Sequence, residues 1–207
     1  MPSICVPLPE NCCSVNNYEY IIASLPVPDE SSGKLDAGAV LSEIKALCSE
    51  SDNRLIDLLL DAFEPDKLDC EFYDRALASR NGFIREYLRY DLRVRNTKVE
   101  YINRTLGRPE DLDVMPEPGE AEFDGKAEVE AVLEQGDILG RERGLDKLMW
   151  NKADELVLMH VFDLDVILAF VAKIKITDRW NKLDPETGRE LFRKLVEEIR
   201  KTRQYGN

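Results

Sequence analysis

Cysteine thiols and imidazole are the side chains best suited to nucleophilic or metal chemistry, and this chain of 207 residues holds five cysteines and one histidine. The cysteines are Cys5, Cys12, Cys13, Cys48 and Cys70. Structural zinc sites usually place paired cysteines about two to four residues apart, so adjacent Cys12 and Cys13 are poor chelators. Met1 to Pro9 has neither a basic region nor a sustained apolar run, so no secretory leader is expected. An odd count of cysteines without a leader predicts reduced thiols. His160 rules out any zinc site that needs several imidazoles. It lies in Glu155–Val161 among apolar residues at helical spacing, where a packing role is expected. No phosphate-binding loop, dinucleotide fingerprint, zinc-protease helix or nucleophile elbow occurs. Asp184, Glu186 and Gly188 faintly echo a calcium loop, but the other ligand positions are wrong. No catalytic, cofactor or metal residue is assigned, and a non-enzymatic role is expected.

What remains is the chemistry of charge. Arg85, Arg89 and Arg93 recur every four residues, with Arg95 close behind. That spacing stacks the first three on one helix face. They are candidates for a protein interface with an acidic partner, and equally for a solvated face. Asp91 and Asn96 interrupt the apolar stripe of the same segment. Two readings stay open: a buried polar seam satisfied by hydrogen bonds, or positions just off the buried stripe.

The element that carries these residues is a helix expected over 80–108. Ile84, Leu88, Leu92, Val99, Ile102 and Leu106 form its stripe, and Gly107 and Pro109 stop it. Tyr18 to Leu25 is a short apolar run compatible with a strand or a helical turn. Helical spacing runs from Leu35 to Phe63, broken near Ser49–Asn53, and continues over Phe72 to Ala78. Further helices are expected over Leu145–His160, from Leu164 towards Trp180, and after Asp184-Pro185 to Ile199. Nothing alternates with a period of two, so the fold class is all-α: helical bundles with one long central helix and an acidic loop. A flexible tail is expected over 1–16, an N-terminal helical module over 17–108, an acidic Pro/Gly linker or loop over 109–126, and a C-terminal helical module over 127–207.

Charge follows this division. Residues 80–108 hold 8 basic and 3 acidic residues, and residues 109–140 hold 1 basic and 11 acidic. A basic helix beside an acidic loop predicts internal charge matching or a docking helix. The whole chain has a net charge of −13, which disfavours general nucleic-acid binding because phosphate contacts need a basic face. No apolar stretch approaches the length of about 18 residues that a membrane span needs.

Three blocks carry a resemblance. Asn17-Tyr18-Glu19-Tyr20-Ile21-Ile22-Ala23-Ser24-Leu25-Pro26 is one. Phe83 to Gly107, with Tyr90-Asp91-Leu92 and Arg95-Asn96-Thr97-Lys98, is the second. The third runs from Phe162-Asp163-Leu164-Asp165 through Ala169-Phe170, Lys173-Ile174, Arg179-Trp180 and Leu183-Asp184 to Thr187-Gly188-Arg189-Glu190. Together they resemble a bacterial family of uncharacterised proteins encoded among V/A-type ATPase genes. That family is in turn distantly similar to the C subunit of these ATPases, called d in eukaryotes. The resemblance implies C-subunit-like helical modules and a non-catalytic role, coupling or capping the central stalk and the membrane rotor ring. It implies those subunits as partners and a cytoplasmic place at the inner face of the cell membrane, reached through protein contacts alone. A general helical interaction or assembly factor is the alternative. An enzyme using carboxylates and Arg95 in an interhelical cleft is a remoter one.

Overall fold

Most helix starts coincide with a side chain that accepts a hydrogen bond from the exposed backbone N–H groups of the first turn. The computed structural model describes residues 18–26, 36–119 and 122–182. Within them lie α1 (Tyr18–Ser24), α2 (Ala37–Leu47), α3 (Glu50–Asp61), α4 (Cys70–Leu77), α5 (Gly82–Thr105), α6 (Lys126–Leu133), α7 (Ile138–Leu156) and α8 (Leu164–Lys182). A single turn of 3-10 helix, Pro65–Lys67, links α3 to α4. No strand occurs among the described residues, and the fold is all-α.

Asp36, Asp69, Asn81 and Asp137 cap α2, α4, α5 and α7. Ser49 and Asp52 satisfy each other's backbone N–H in a capping box that opens α3. Asp163 accepts from the N–H of Val166 at 3.3 Å, one turn into α8. Helix α5 closes on Gly107, whose φ of 67° suits a residue without a Cβ. There the N–H of Arg108 reaches the carbonyl of Asn103 at 2.9 Å and that of Gly107 reaches Arg104 at 3.2 Å, a Schellman ending.

Tyr18 to Leu25 resolves as helix because its neighbours cover it. Ile21 is buried, and the Tyr18 hydroxyl reaches Asp52 of α3. The long helix expected over 80–108 is α5 almost to the residue. Beyond it the structure differs from the sequence expectation. Helix α6 was not expected, since only Val129 and Leu133 mark its buried side within an acidic run. Helix α7 starts seven residues before Leu145 and stops at Leu156, not at His160. The helix expected after Asp184 and the tail over 1–16 lie outside the described residues.

Two helices organise the packing. Helix α8 is apolar nearly all round, burying Ile167, Leu168, Ala169, Phe170, Val171, Ala172, Ile174 and Ile176. A helix of that kind belongs inside a bundle, and α8 packs against α1, α2, α3, α5 and α7. Helix α5 packs against α3, α4, α6, α7 and α8. One continuous apolar core therefore includes residues from both sides of the acidic loop. The loop itself is laced to α5. Asn96 donates to the Met115 carbonyl at 2.8 Å and accepts from its N–H at 3.0 Å. Asn103 donates to the carbonyl of Leu112 at 2.6 Å.

Candidate functional site

The arginine ladder sits on the face of α5 that meets the acidic loop. Arg93 grips Glu117 through Nε, at 2.9 and 2.8 Å from its two oxygens, and through Nη2 at 2.7 Å. A forked contact of this kind is among the stronger charge-assisted pairs, and it holds the Arg93 pKa above the usual guanidinium value. Arg89 donates to both oxygens of Glu86 at 3.0 Å and lies 3.6 Å from Glu117. Arg85 shares Glu86 at 3.1 Å and reaches back to the Ser79 carbonyl at 3.2 Å. The basic helix and the acidic loop thus match each other inside the chain. Phe123 continues this face, edge-on to Tyr90 and 5.7 Å from the Arg93 guanidinium. Beside it lies a polar cleft of about 430 Å³, bordered by Arg89, Tyr90, Arg93, Phe123 and Lys152.

Arg95 leaves the ladder. Its Nε lies 2.7 Å from Asp91, on the side of α5 that faces α4. Asp91 is buried and also accepts from the Tyr73 hydroxyl at 2.6 Å. Burial, then the Asp91 charge, push the Tyr73 phenol far above its usual range. For Arg95, burial works against the charge and Asp91 outweighs it, so the guanidinium stays protonated. The structure does not bring Asp91 and Asn96 into one seam. Asp91 belongs to the α4–α5 contact, whereas Asn96 clamps the acidic loop.

Next to Asp91 is a smaller cavity of about 160 Å³. The 62–68 connection, α5, α7 and α8 enclose it, with Phe63, Leu68, Met149 and Ile176 as apolar wall. Its polar lining is Tyr87, Asp91, Arg95, Asp146 and Arg179. Asp146 accepts from the Trp180 indole N–H at 2.7 Å and from Arg179. Burial raises the Asp146 pKa, opposed by Arg179 and Trp180. Tyr87, Asp146 and Arg179 lie far apart in the sequence, and the fold brings them together.

The third feature is the turn between α7 and α8. Leu158 is 78% exposed and Met159 88%, and Val161 and Phe162 are also more than half exposed. The turn is nevertheless built. The N–H of His160 bonds the Val157 carbonyl at 2.9 Å, and its Nδ1 lies 2.6 Å from Asp163. Asp165 in turn accepts from Asn81 at 2.6 Å, which fixes the turn to the start of α5. His160 is therefore a surface residue, not the packing histidine expected from its apolar neighbours. Its pKa is raised, first by the hydrogen bond that its ring donates to Asp163.

Among the described residues no group of three or more His, Cys, Asp and Glu side chains could hold a metal ion. No described helix is long and apolar enough to cross a membrane. Residues 119–203 match a family described as a protein of unknown function, DUF2764, so the chain is similar to that family over somewhat less than half its length. No curated protein matches, and no solved structure matches.

Proposed function

We propose that the protein is a non-catalytic helical adaptor of a V/A-type ATPase, which couples or caps the central stalk and the membrane rotor ring. The sequence resemblance supplies the identity of the machine, and the single observation that carries a binding role is the exposed apolar turn. Leu158, Met159, Val161 and Phe162 flank His160 in one turn, polar contacts hold the turn in place, and no described residue covers them. Contiguous apolar exposure of this kind marks surfaces that another protein covers. The turn follows the end of α7, and the Asn81–Asp165 bond ties it to the start of α5. A stiff body of packed helices with one apolar tip suits a mechanical adaptor, which transmits position and needs no reaction chemistry. The protein then reaches the inner face of the cell membrane through its partners.

The test is a pull-down of the tagged full chain from gently solubilised native membranes at low and moderate salt, with partners identified by mass spectrometry. The adaptor reading expects rotor-ring and central-stalk subunits in stoichiometric amounts. A chain carrying Met159→Ser and Phe162→Ser should lose them while keeping its helical content. Recovery of the protein alone, from cells whose ATPase assembles without it, overturns the reading. Recovery of unrelated partners through the same tip moves it to a general assembly factor.

A further inference from the structure

We propose that the cavity enclosed by the 62–68 connection, α5, α7 and α8 binds a small oxyanion or carboxylate, held by Tyr87 and the guanidinium groups of Arg95 and Arg179. The first observation is an orphan. The Tyr87 side chain is 1% exposed, and its hydroxyl has no hydrogen-bond partner among the described residues. Buried hydroxyls are rarely left this way, because an unmade hydrogen bond costs more than a made one gains. Asp91, Asp146 and Arg95 all act electrostatically on this phenol, and all three line the same cavity with it. The hydroxyl therefore sits among the cavity's charged groups.

The second observation concerns which hydrogen-bonding capacity is already used. Asp91 accepts from Tyr73 at 2.6 Å and from Arg95 at 2.7 Å. Asp146 accepts from Trp180 at 2.7 Å and from Arg179. Each carboxylate is thus matched to its own arginine and to one further donor. The donors are in excess. A guanidinium carries about five N–H groups. Arg95 spends Nε and Nη2 on Asp91 and the Ala62 carbonyl and also bonds the Tyr73 hydroxyl. Arg179 turns Nη2 to Asp146 and, at 3.8 Å, to Glu142, with no described contact on its Nη1. With the buried, unpartnered Tyr87 and two partly exposed arginines in its lining, the cavity offers donors to an incoming acceptor.

Size and surroundings narrow the class. A cavity of about 160 Å³ has room for several water molecules, and so for a group the size of phosphate or acetate. The walls of Phe63, Leu68, Met149 and Ile176 lower the local polarity, which strengthens charge-assisted hydrogen bonds to a bound anion. This proposal stands apart from the adaptor reading and uses none of the residues of the 158–162 turn.

The experiment titrates the full chain with sodium phosphate and, separately, sodium acetate, with ionic strength held constant by sodium chloride. Amide and arginine Nε resonances around the cavity report binding, and thermal unfolding reports stabilisation. Saturable shifts confined to the cavity are expected for at least one anion, weakened fivefold or more by Tyr87→Phe and by Arg179→Gln. Without anion, Tyr87→Phe should be at least as stable as the natural chain, since the hydroxyl it removes has no acceptor. Shifts that rise linearly as with chloride, or equal affinity in Tyr87→Phe, overturn the proposal. So does a Tyr87→Phe chain that is less stable without anion, because the hydroxyl would then be engaged by the protein itself.

Discussion

Replacing Asp91 with alanine should be one of the more damaging polar substitutions in this protein. The side chain is buried against α4 and accepts from Tyr73 at 2.6 Å and Arg95 at 2.7 Å. Truncation leaves the Tyr73 hydroxyl, itself buried, without an acceptor, which costs about 1–3 kcal/mol. It also leaves Arg95 without its counter-charge. The Arg95 side chain is 38% exposed, so water compensates in part and the loss there is about 1 kcal/mol. Together Asp91→Ala should lower the free energy of unfolding by about 2–4 kcal/mol. Asp91→Asn keeps an acceptor for the phenol and should cost about half as much. Tyr73→Phe removes a donor and leaves Asp91 with Arg95, for about 0.5–1.5 kcal/mol. Urea unfolding of the three single variants and of the Tyr73→Phe, Asp91→Ala pair would give a coupling of about 1–2 kcal/mol between these positions. An Asp91→Ala chain within about 0.5 kcal/mol of the natural one, or strictly additive costs in the pair, would refute the network.

Other consequences are checked as directly. Gly144 lies where α7 crosses α6, and a Cβ added there would meet Val132 at 2.5 Å. Gly144→Ala should cost about 1–3 kcal/mol in unfolding experiments, and Val132→Ala in the same chain should recover much of it. As the sole imidazole, His160 gives one clean NMR titration. Its midpoint should lie above the ordinary 6.5, because Asp163 stabilises the charged form, and should fall in Asp163→Asn. Since the folded-state value is raised, the stabilisation is complete below 6.5 and is lost as pH rises through the folded-state value. Burial, with Asp52 nearby, pushes the Cys48 thiol up to about 11, while Cys70 is exposed. Peptide-resolved alkylation at pH 8 should therefore label Cys70 well before Cys48. Asn96→Ala should release Met115 from α5, detected as faster amide exchange over 112–117 with little change in global stability.

Much of the fold was legible because helix signals are local. The stripe from Ile84 to Leu106, the stop at Gly107 and the break before α3 can each be read from residue types within a turn or two. The Ser49–Asp52 capping box and the Asp137 cap were equally local and would have placed the starts of α3 and α7 correctly. Periodicity missed the first turns of α7 because its buried side begins only at Leu145, after exposed Ile138 and Leu139. The candidate sites were less legible because they depend on long-range contacts. Arg93 meets Glu117 across 24 residues, and Trp180 meets Asp146 across 34. Charge counting anticipated that the basic helix and the acidic loop could match, but not that Arg95 would turn away to Asp91.

The α7–α8 turn shows why the same residues carried two opposite readings. Leu158, Met159, Val161 and Phe162 follow a helix with helix-like spacing, so hydropathy extends the helix through them and gives His160 a buried role. In the fold α7 ends at Leu156, and the apolar side chains that follow are covered by nothing described. Hydropathy records only that a residue prefers to leave water, and which surface takes it is decided elsewhere. Where the chain's own helices cover such residues, as along α8, they become core. Where a turn is fixed by His160, Asp163 and Asn81 yet no described residue covers its apolar side chains, the adaptor reading assigns the surface that completes it to another molecule. Serine at Met159 and Phe162 separates the two roles. It should leave the unfolding free energy within about 0.5 kcal/mol while removing partner capture, and a large loss of stability would instead make the turn part of the core.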